Sequence, residues 1–252
     1  MLKKPFLERL KRGETLIGTV LTLPSTEIAE LLSEAGFDWL FVDTEHAALD
    51  IRDVQSILQT AHGRCPCIVR APSMDEVWIK RILDAGPAGI MIPQVNSVEE
   101  AQKIVRLCRY PPKGSRSVGI SRAHTYGMKF QEYVDSADET SAVIVQIEHV
   151  DAVRNSCAIA CVPGIDALFV GPYDLSGSLG KIGKVTDPEV KQHIEVVTKV
   201  HTDTGKPIGI WGNDAESVKP YIDQGYTLIA IGMDTMFLWK SAHHTLKTVR
   251  GL

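Results

Sequence analysis

The chain has no surplus of positive charge, no long apolar run, no paired metal-binding cysteine motif and no glycine fingerprint after its first strand-like segment. Its 27 Lys and Arg are outnumbered by 31 Asp and Glu, giving a formal charge of −4 with both signs interspersed. That balance excludes the basic footprint of a nucleic-acid binder and a polybasic membrane surface. No stretch approaches the roughly 20 apolar residues that a membrane helix requires, so no membrane partner is expected. The opening MLKKPFLERLKRGE interleaves charges with Phe6, Leu7 and Leu10 at helical spacing. It reads as a short amphipathic helix over about residues 3–12 rather than a signal peptide. Five cysteines make an odd set without zinc-type CxxC pairs. This argues against a disulfide framework and for a reducing cytoplasm, with all five expected as buried, inert thiols. TLPSTE (Thr22 to Glu27) lacks the glycines that a dinucleotide-binding open sheet carries at that place. No internal repeat, linker or low-complexity tract interrupts the chain.

What is present is an alternation. Apolar β-rich runs fall near Leu16 to Leu21, Trp39 to Asp43, Cys67 to Arg70, Gly89 to Pro93, Val143 to Glu148, Ala167 to Gly171, Ile208 to Trp211 and Leu228 to Gly232. Amphipathic segments lie between most of them; SVEEAQKIVRLCRY, for example, has Ser97 as N-cap and Glu100 placed for a capping box. Eight strand–helix repeats in 252 residues predict a single-domain α/β protein, a closed (β/α)8 TIM barrel, in preference to a doubly wound open sheet. The polar connection from Pro111 to Thr140 is too long for a simple loop and is expected to be partly helical or part of a lid.

Polar residues cluster where these strands end. Asp43, Glu45 and His46 follow the second run, Arg70 ends the third, Gln94 follows the fourth, Glu148 ends the fifth and Asp174 follows the sixth. In a barrel these are C-terminal ends, the rim that carries chemistry. Gln146 and Glu148 are two apart in a Val/Ile run, so the period of 2 sends both to one face, where a carboxylate needs a cation or strong donors. Glu148 with Asp174 suits a hard divalent cation, Mg2+ or Mn2+, with Co2+ also admissible. A 2-oxo acid chelated there would form an enolate, with Arg70 stabilising its charge and His46 carrying the proton at neutral pH. Asp43 or another carboxylate would orient His46. The turn GPYDLSGSLG would offer free amides at a helix start to the substrate carboxylate.

Each residue also has a plainer reading. Glu148 could form a structural ion pair with Arg70, Asp174 could be a turn former or N-cap, and His46 could be a hydrogen-bonded bystander. The glycine-rich turn and the GMD at Gly232 to Asp234 are also compatible with a phosphate. Trp78, Trp239 and Met236 read as packing residues.

Taken together, FVDTEHAALD, IVRAPS, LDAGPAGIMIPQV, RYPPKGSRSVG, VQIEH, GIDALFVGPYDLSGSLG and IAIGMDTMFL resemble, in order, the HpcH/HpaI family of metal-dependent (class II) pyruvate aldolases. The resemblance implies a barrel of the pyruvate/phosphoenolpyruvate kind that cleaves 4-hydroxy-2-oxo acids to pyruvate, or a close 2-oxo acid, plus an aldehyde. It also implies a homo-oligomer, a hexamer built as a trimer of dimers with C-terminal helices exchanged between subunits. By motif it assigns His46 to proton transfer, Arg70 to the enolate, Gln146 to pyruvate, Glu148 and Asp174 to the metal, and the backbone at Tyr173 and Asp174 to the pyruvate carboxylate. Asp84 of LDAG would reach the histidine from a neighbouring subunit. The sequence departs from the better-known sugar-acid aldolases in having Tyr173 for a small residue and Trp211 in a more aliphatic segment, so short or apolar aldehydes are expected. Two alternatives remain: a decarboxylase or lyase acting on oxaloacetate or an acyl-CoA thioester, and a non-catalytic barrel binding a small acid. No lysine stands at a strand end for Schiff-base chemistry.

Overall fold

The computed structural model of the chain describes residues 5–251. Its eight strands are β1 (Leu16–Leu21), β2 (Trp39–Asp43), β3 (Cys67–Arg70), β4 (Gly89–Ile92), β5 (Ala142–Ile147), β6 (Ala167–Val170), β7 (Ile208–Gly212) and β8 (Leu228–Met233). All pair in parallel with their chain neighbours, and β8 closes on β1 to complete a (β/α)8 barrel. The strands lie within a residue or two of the apolar runs, because those runs are buried on both sides and read as continuous Val/Ile/Leu stretches.

The helices are α1 (Phe6–Lys11), α2 (Thr26–Glu34), α3 (Ile51–Thr60), α4 (Glu76–Ala85), α5 (Val98–Cys108), α6 (Phe130–Thr140), α7 (Val150–Ala160), α8 (Pro172–Ser178), α9 (Pro188–Thr204), α10 (Ala215–Asp223) and α11 (Asp234–Arg250). Their starts follow local chemistry. Ser97 and Glu100 form the expected capping box on α5, Asp50 and Asp53 form another on α3, and Asp187 caps α9 with Pro188 in its first turn. The expected helix at residues 3–12 is described as Phe6–Lys11, and residues 3 and 4 lie outside the described residues.

Strand periodicity divides the interior into two cores. One set of residues, including Val42, Val69, Ile90, Val145 and Val170, packs outward against the helices. The other, including Leu16, Trp39, Phe41, Ile68, Met91, Ile144 and Phe169, fills the barrel. Phe6, Leu7 and Leu10 of α1 join the inner set and stopper the N-terminal end. Trp39, Phe41 and Phe169 stack and meet edge-on with centroids 5.8–6.3 Å apart. They form an apolar floor halfway up the barrel. Gly18 and Gly209 make room for it, since a Cβ at either would stand 2.6 Å from the ring of Trp39 or of Phe169.

Two expectations are corrected, and a third is resolved between its two alternatives. The 111–140 connection is partly helical, with a 3-10 turn at Arg122–Gly127 and then α6, but it does not cover its own barrel mouth. Arg122 donates to the carbonyls of Leu58, Ala85 and Gly86, which places the segment at the opposite rim, where α3 and α4 end. Cys157 and Cys161 are exposed on α7, whereas Cys65, Cys67 and Cys108 are buried as expected. Trp239 is 63% exposed, because α11 projects from the barrel with Asp234 alone buried among its described residues. No helix among the described residues is long and apolar enough to cross a membrane.

Candidate active site

The inward-facing ladder continues past the aromatic floor with polar residues. On β2, Trp39 and Phe41 are followed by Asp43; on β3, Ile68 by Arg70; on β5, Ile144 by Gln146 and then Glu148. Alternation therefore delivers the charged residues to the same end that the apolar ones seal from below. Asp43 and Arg70 are register partners on adjacent strands. The carboxylate takes Nε at 2.9 Å and Nη2 at 2.8 Å, a bidentate pair in which both residues are largely buried. The guanidinium carbon lies 5.1 Å over the Phe41 ring. Burial alone would raise the Asp43 pKa, but the hydrogen bonds and charge of Arg70 outweigh it and hold the group below the ordinary carboxylate range. Burial opposes the Arg70 charge, and Asp43 more than restores it.

This pairing revises two readings. Asp43 does not face the His46 imidazole: besides Arg70 it accepts the backbone N–H groups of Glu45, at 3.0 Å, and of His46, at 3.4 Å, so it shapes the loop and not the ring. The acid beside the ring is Glu45, whose Oε2 is 3.8 Å from His46 Nε2. Arg70 Nη1 lies 3.1 Å from the same oxygen without hydrogen-bond alignment, which leaves this buried atom without a hydrogen-bond partner. Burial raises the Glu45 pKa. Nor does Glu148 pair with Arg70.

Glu148 instead accepts the Gln94 N–H at 2.8 Å on one oxygen and Gln146 Nε2 at 3.0 Å on the other, while Arg70 Nη1 reaches Gln146 Oε1 at 3.4 Å. Gln94 presents its amide from a left-handed conformation, φ 55°, uncommon for a non-glycine residue and of the kind stored at functional sites. Burial pushes the Glu148 carboxyl up to about 7, with the charges of Glu45 and Asp174 adding to the push and Gln94 and Arg70 opposing it. A Cβ at Gly171 would sit 2.5 Å from Glu148 Oε2, so only glycine leaves the carboxylate its place. Neither the Gln94 amide nor Gly171 was a candidate from sequence. The φ of Gln94 leaves no mark in residue type, and Gly171 reads simply as a strand end.

His46, Arg70, Gln146, Gly171, Tyr173, Asp174 and Trp211 line one cavity of about 390 Å3 above Phe41 and Phe169, with Asp43 beneath. Glu148 stands directly behind this lining, its Oε2 against Gln146 and Gly171. A larger cavity, about 610 Å3, lies near the N-terminal ends of β3 and β4, but no carboxylate lines it. Asp84 is elsewhere, 2.7 Å from Arg116 at the end of α4. The alternative phosphate position at Gly232 to Asp234 is taken: Asp234 accepts the amides of Thr22 and Leu23 at 2.8 Å each and the Thr22 hydroxyl at 2.7 Å.

Among the described residues no group of three or more His, Cys, Asp and Glu converges as a complete metal shell. Glu148 and Asp174 remain as a two-carboxylate set. They fit a hard cation that takes its other ligands from water and substrate. Burial first, and then the like charges of Glu45 and Asp174, push the Glu148 carboxyl up, and Arg70, bonded to Asp43, offsets this only in part.

Residues 17–241 match the HpcH/HpaI aldolase/citrate lyase family. The chain belongs to this family. It is 38% identical over 92% of its length to the hydroxypyruvate/pyruvate aldolase of Roseobacter denitrificans, covering 92% of that protein. It is 40% identical over 93% of its length to the 4-hydroxy-2-oxovalerate aldolase of Rhodococcus jostii, again covering 92%. An HpcH/HpaI aldolase/citrate lyase family protein from Burkholderia cenocepacia superposes with a TM-score of 0.93 at 38% identity, covering 97% of this chain and 98% of that one. HpcH/HpaI membership and the aldolase names of the relatives make the chain an aldolase-class lyase.

Proposed function

We propose that the protein is a metal-dependent aldolase that cleaves a 4-hydroxy-2-oxo acid reversibly to pyruvate, or a close 2-oxo acid, and an aldehyde. The observation that carries this reading is the convergence of a locked guanidinium, Gln146 backed by Glu148, Asp174 and an exposed imidazole on one cavity. A divalent cation, Mg2+ or Mn2+ in the first place, would be held by Glu148 and Asp174 and would supply Lewis-acid polarisation of the keto group.

The residues account for the rest. Arg70 is fixed by Asp43 on one edge, while Nη1 lies between Glu45 Oε2 and Gln146 Oε1, from where it would donate to the oxygen that gains charge in the enolate. Gln146 holds Glu148 in place through its amide NH2 and orients the 2-oxo acid. The amides of Tyr173 and Asp174 precede the first intrahelical bond of α8, from Leu175 N–H to Gly171 O, and are free to receive the carboxylate. His46 takes the proton from the 4-hydroxyl, the C3–C4 bond breaks, the aldehyde leaves and a proton returns to C3. Glu45 stands beside the imidazole in the same protomer, and Asp84 of an adjacent subunit would complete its surroundings.

That arrangement requires a homo-oligomer. The exposed face of α11, with Leu238, Trp239, Leu246 and Val249, is the element that would exchange between subunits of a hexamer. With Cys67 and Cys108 as buried thiols, the protein would work in a reducing cytoplasm. Tyr173 and Trp211 wall the cavity and favour short aldehydes.

The test is pyruvate release from 4-hydroxy-2-oxo acids with varied tails, coupled to lactate dehydrogenase. Activity should vanish with EDTA and return with Mn2+. Turnover that persists in EDTA would overturn the metal-dependent reading.

A further inference from the structure

Behind the catalytic cavity lies a second one of about 320 Å3 between α9 and α10, and the two share Pro172, Tyr173 and Trp211 as lining. The shared residues form a partition. Its middle is Tyr173, whose hydroxyl accepts Asn213 Nδ2 at 2.8 Å, while its ring leans on Trp211 with centroids 5.5 Å apart. Trp211 is fixed in turn, its indole N–H donating to the Gly232 carbonyl at 3.0 Å. The wall of the far cavity is mixed, with Lys191, Glu195 and Glu216 set among Val185, Ile194 and Ile210, whereas the floor made by Phe41 and Phe169 carries no charge.

We propose that Tyr173, latched by Asn213, is a specificity-determining residue that shuts this second cavity off from the acceptor side of the active site. The inference rests on the aldolase reading and names its substrate class. With the latch closed, the enzyme takes 4-hydroxy-2-oxo acids with short tails. With the partition removed, a long hydroxylated tail passes between α8 and β7, its hydroxyls meeting Lys191, Glu195 and Glu216 and its carbons the apolar remainder of the far cavity. The phenol is a door and not an anchor, because the one hydrogen bond it makes among the described residues is to Asn213, a half-buried side chain in the short loop after β7.

The experiment measures kcat/KM for a short-tailed and a long, polyhydroxylated 4-hydroxy-2-oxo acid in wild type, Tyr173→Ala, Tyr173→Phe and Asn213→Ala. In parallel, calorimetry measures wild-type and variant binding of two 2-oxo acids of the same two tail lengths that lack the 4-hydroxyl and cannot be cleaved. The long-to-short ratio should rise about tenfold or more in Tyr173→Ala, the scale on which pocket walls discriminate. It should rise by a smaller factor in Asn213→Ala and Tyr173→Phe, which keep the ring but release it. An unchanged ratio in a folded Tyr173→Ala overturns the proposal. Should that variant fail to fold, an unchanged ratio in both latch variants does the same. Pyruvate release from neither substrate by wild type would refute the aldolase reading instead, and the calorimetric ratios would still decide whether Tyr173 is the wall.

Discussion

Arg70 illustrates how a single side chain combines stability with chemistry. Its bidentate bond to Asp43 uses Nε and Nη2 and leaves Nη1 aimed at the Gln146 side. Arg70→Ala should lower kcat by ~10²–10³, the usual effect of deleting one charge-stabilising donor, measured with saturating metal and substrate. Arg70→Lys should not restore it, because an ammonium cannot span both Asp43 oxygens. Glu148 makes a pH prediction. Its folded pKa, about 7, is above the value of 4.5 for a free side chain. The folded state therefore binds the extra proton between those values, and metal-free stability falls as pH rises through that window, by on the order of 3 kcal/mol at most. Thermal melts in EDTA from pH 4.5 to 8 should show the decline, Glu148→Gln should flatten it, and Mn2+ should reverse it at the alkaline end. Glu148→Gln and Asp174→Asn should also abolish turnover while leaving the circular dichroism spectrum unchanged.

Elements differ in how far the sequence reveals them. The strands were legible because each is a short, unbroken apolar run, and α5 because Ser97 and Glu100 announce its start. Residues at strand ends were legible for the same reason: the period of 2 that buries Ile144 carries Gln146 and Glu148 to the mouth. The partner of each was not. Proximity in sequence offers Asp43 first among the carboxylates that could orient His46, whereas the parallel register sets it beside Arg70 and leaves Glu45 next to the ring. The 111–140 segment escaped too, since the donors that anchor it at the far rim contact carbonyls, which every residue possesses. Helix α1 makes its own prediction. Leu7 is 1% exposed in the barrel stopper, and Leu7→Ala should cost ~2–5 kcal/mol in urea unfolding with little change in KM. Helix α11 makes the opposite one, for its apolar side chains face outward. Leu238→Asp combined with Val249→Asp should leave the barrel folded and reduce the mass seen by light scattering to that of a smaller assembly.

At the scale of the whole molecule, the barrel is divided across its middle. Below Trp39, Phe41 and Phe169 it is dry and stoppered by α1; above them it is charged and open. A chamber with that floor has one opening, so whatever binds deepest departs last. Under the aldolase reading the 2-oxo acid sits against Arg70 and Gln146, and the aldehyde lies on its mouth side with its tail turned toward the Tyr173 wall. Release is then sequential, aldehyde before pyruvate. Steady-state inhibition by products should reveal the sequence: pyruvate should compete with the hydroxy-oxo acid for the empty enzyme, while the aldehyde should lower the maximal velocity by trapping occupied enzyme, and no choice of concentrations should exchange the two patterns.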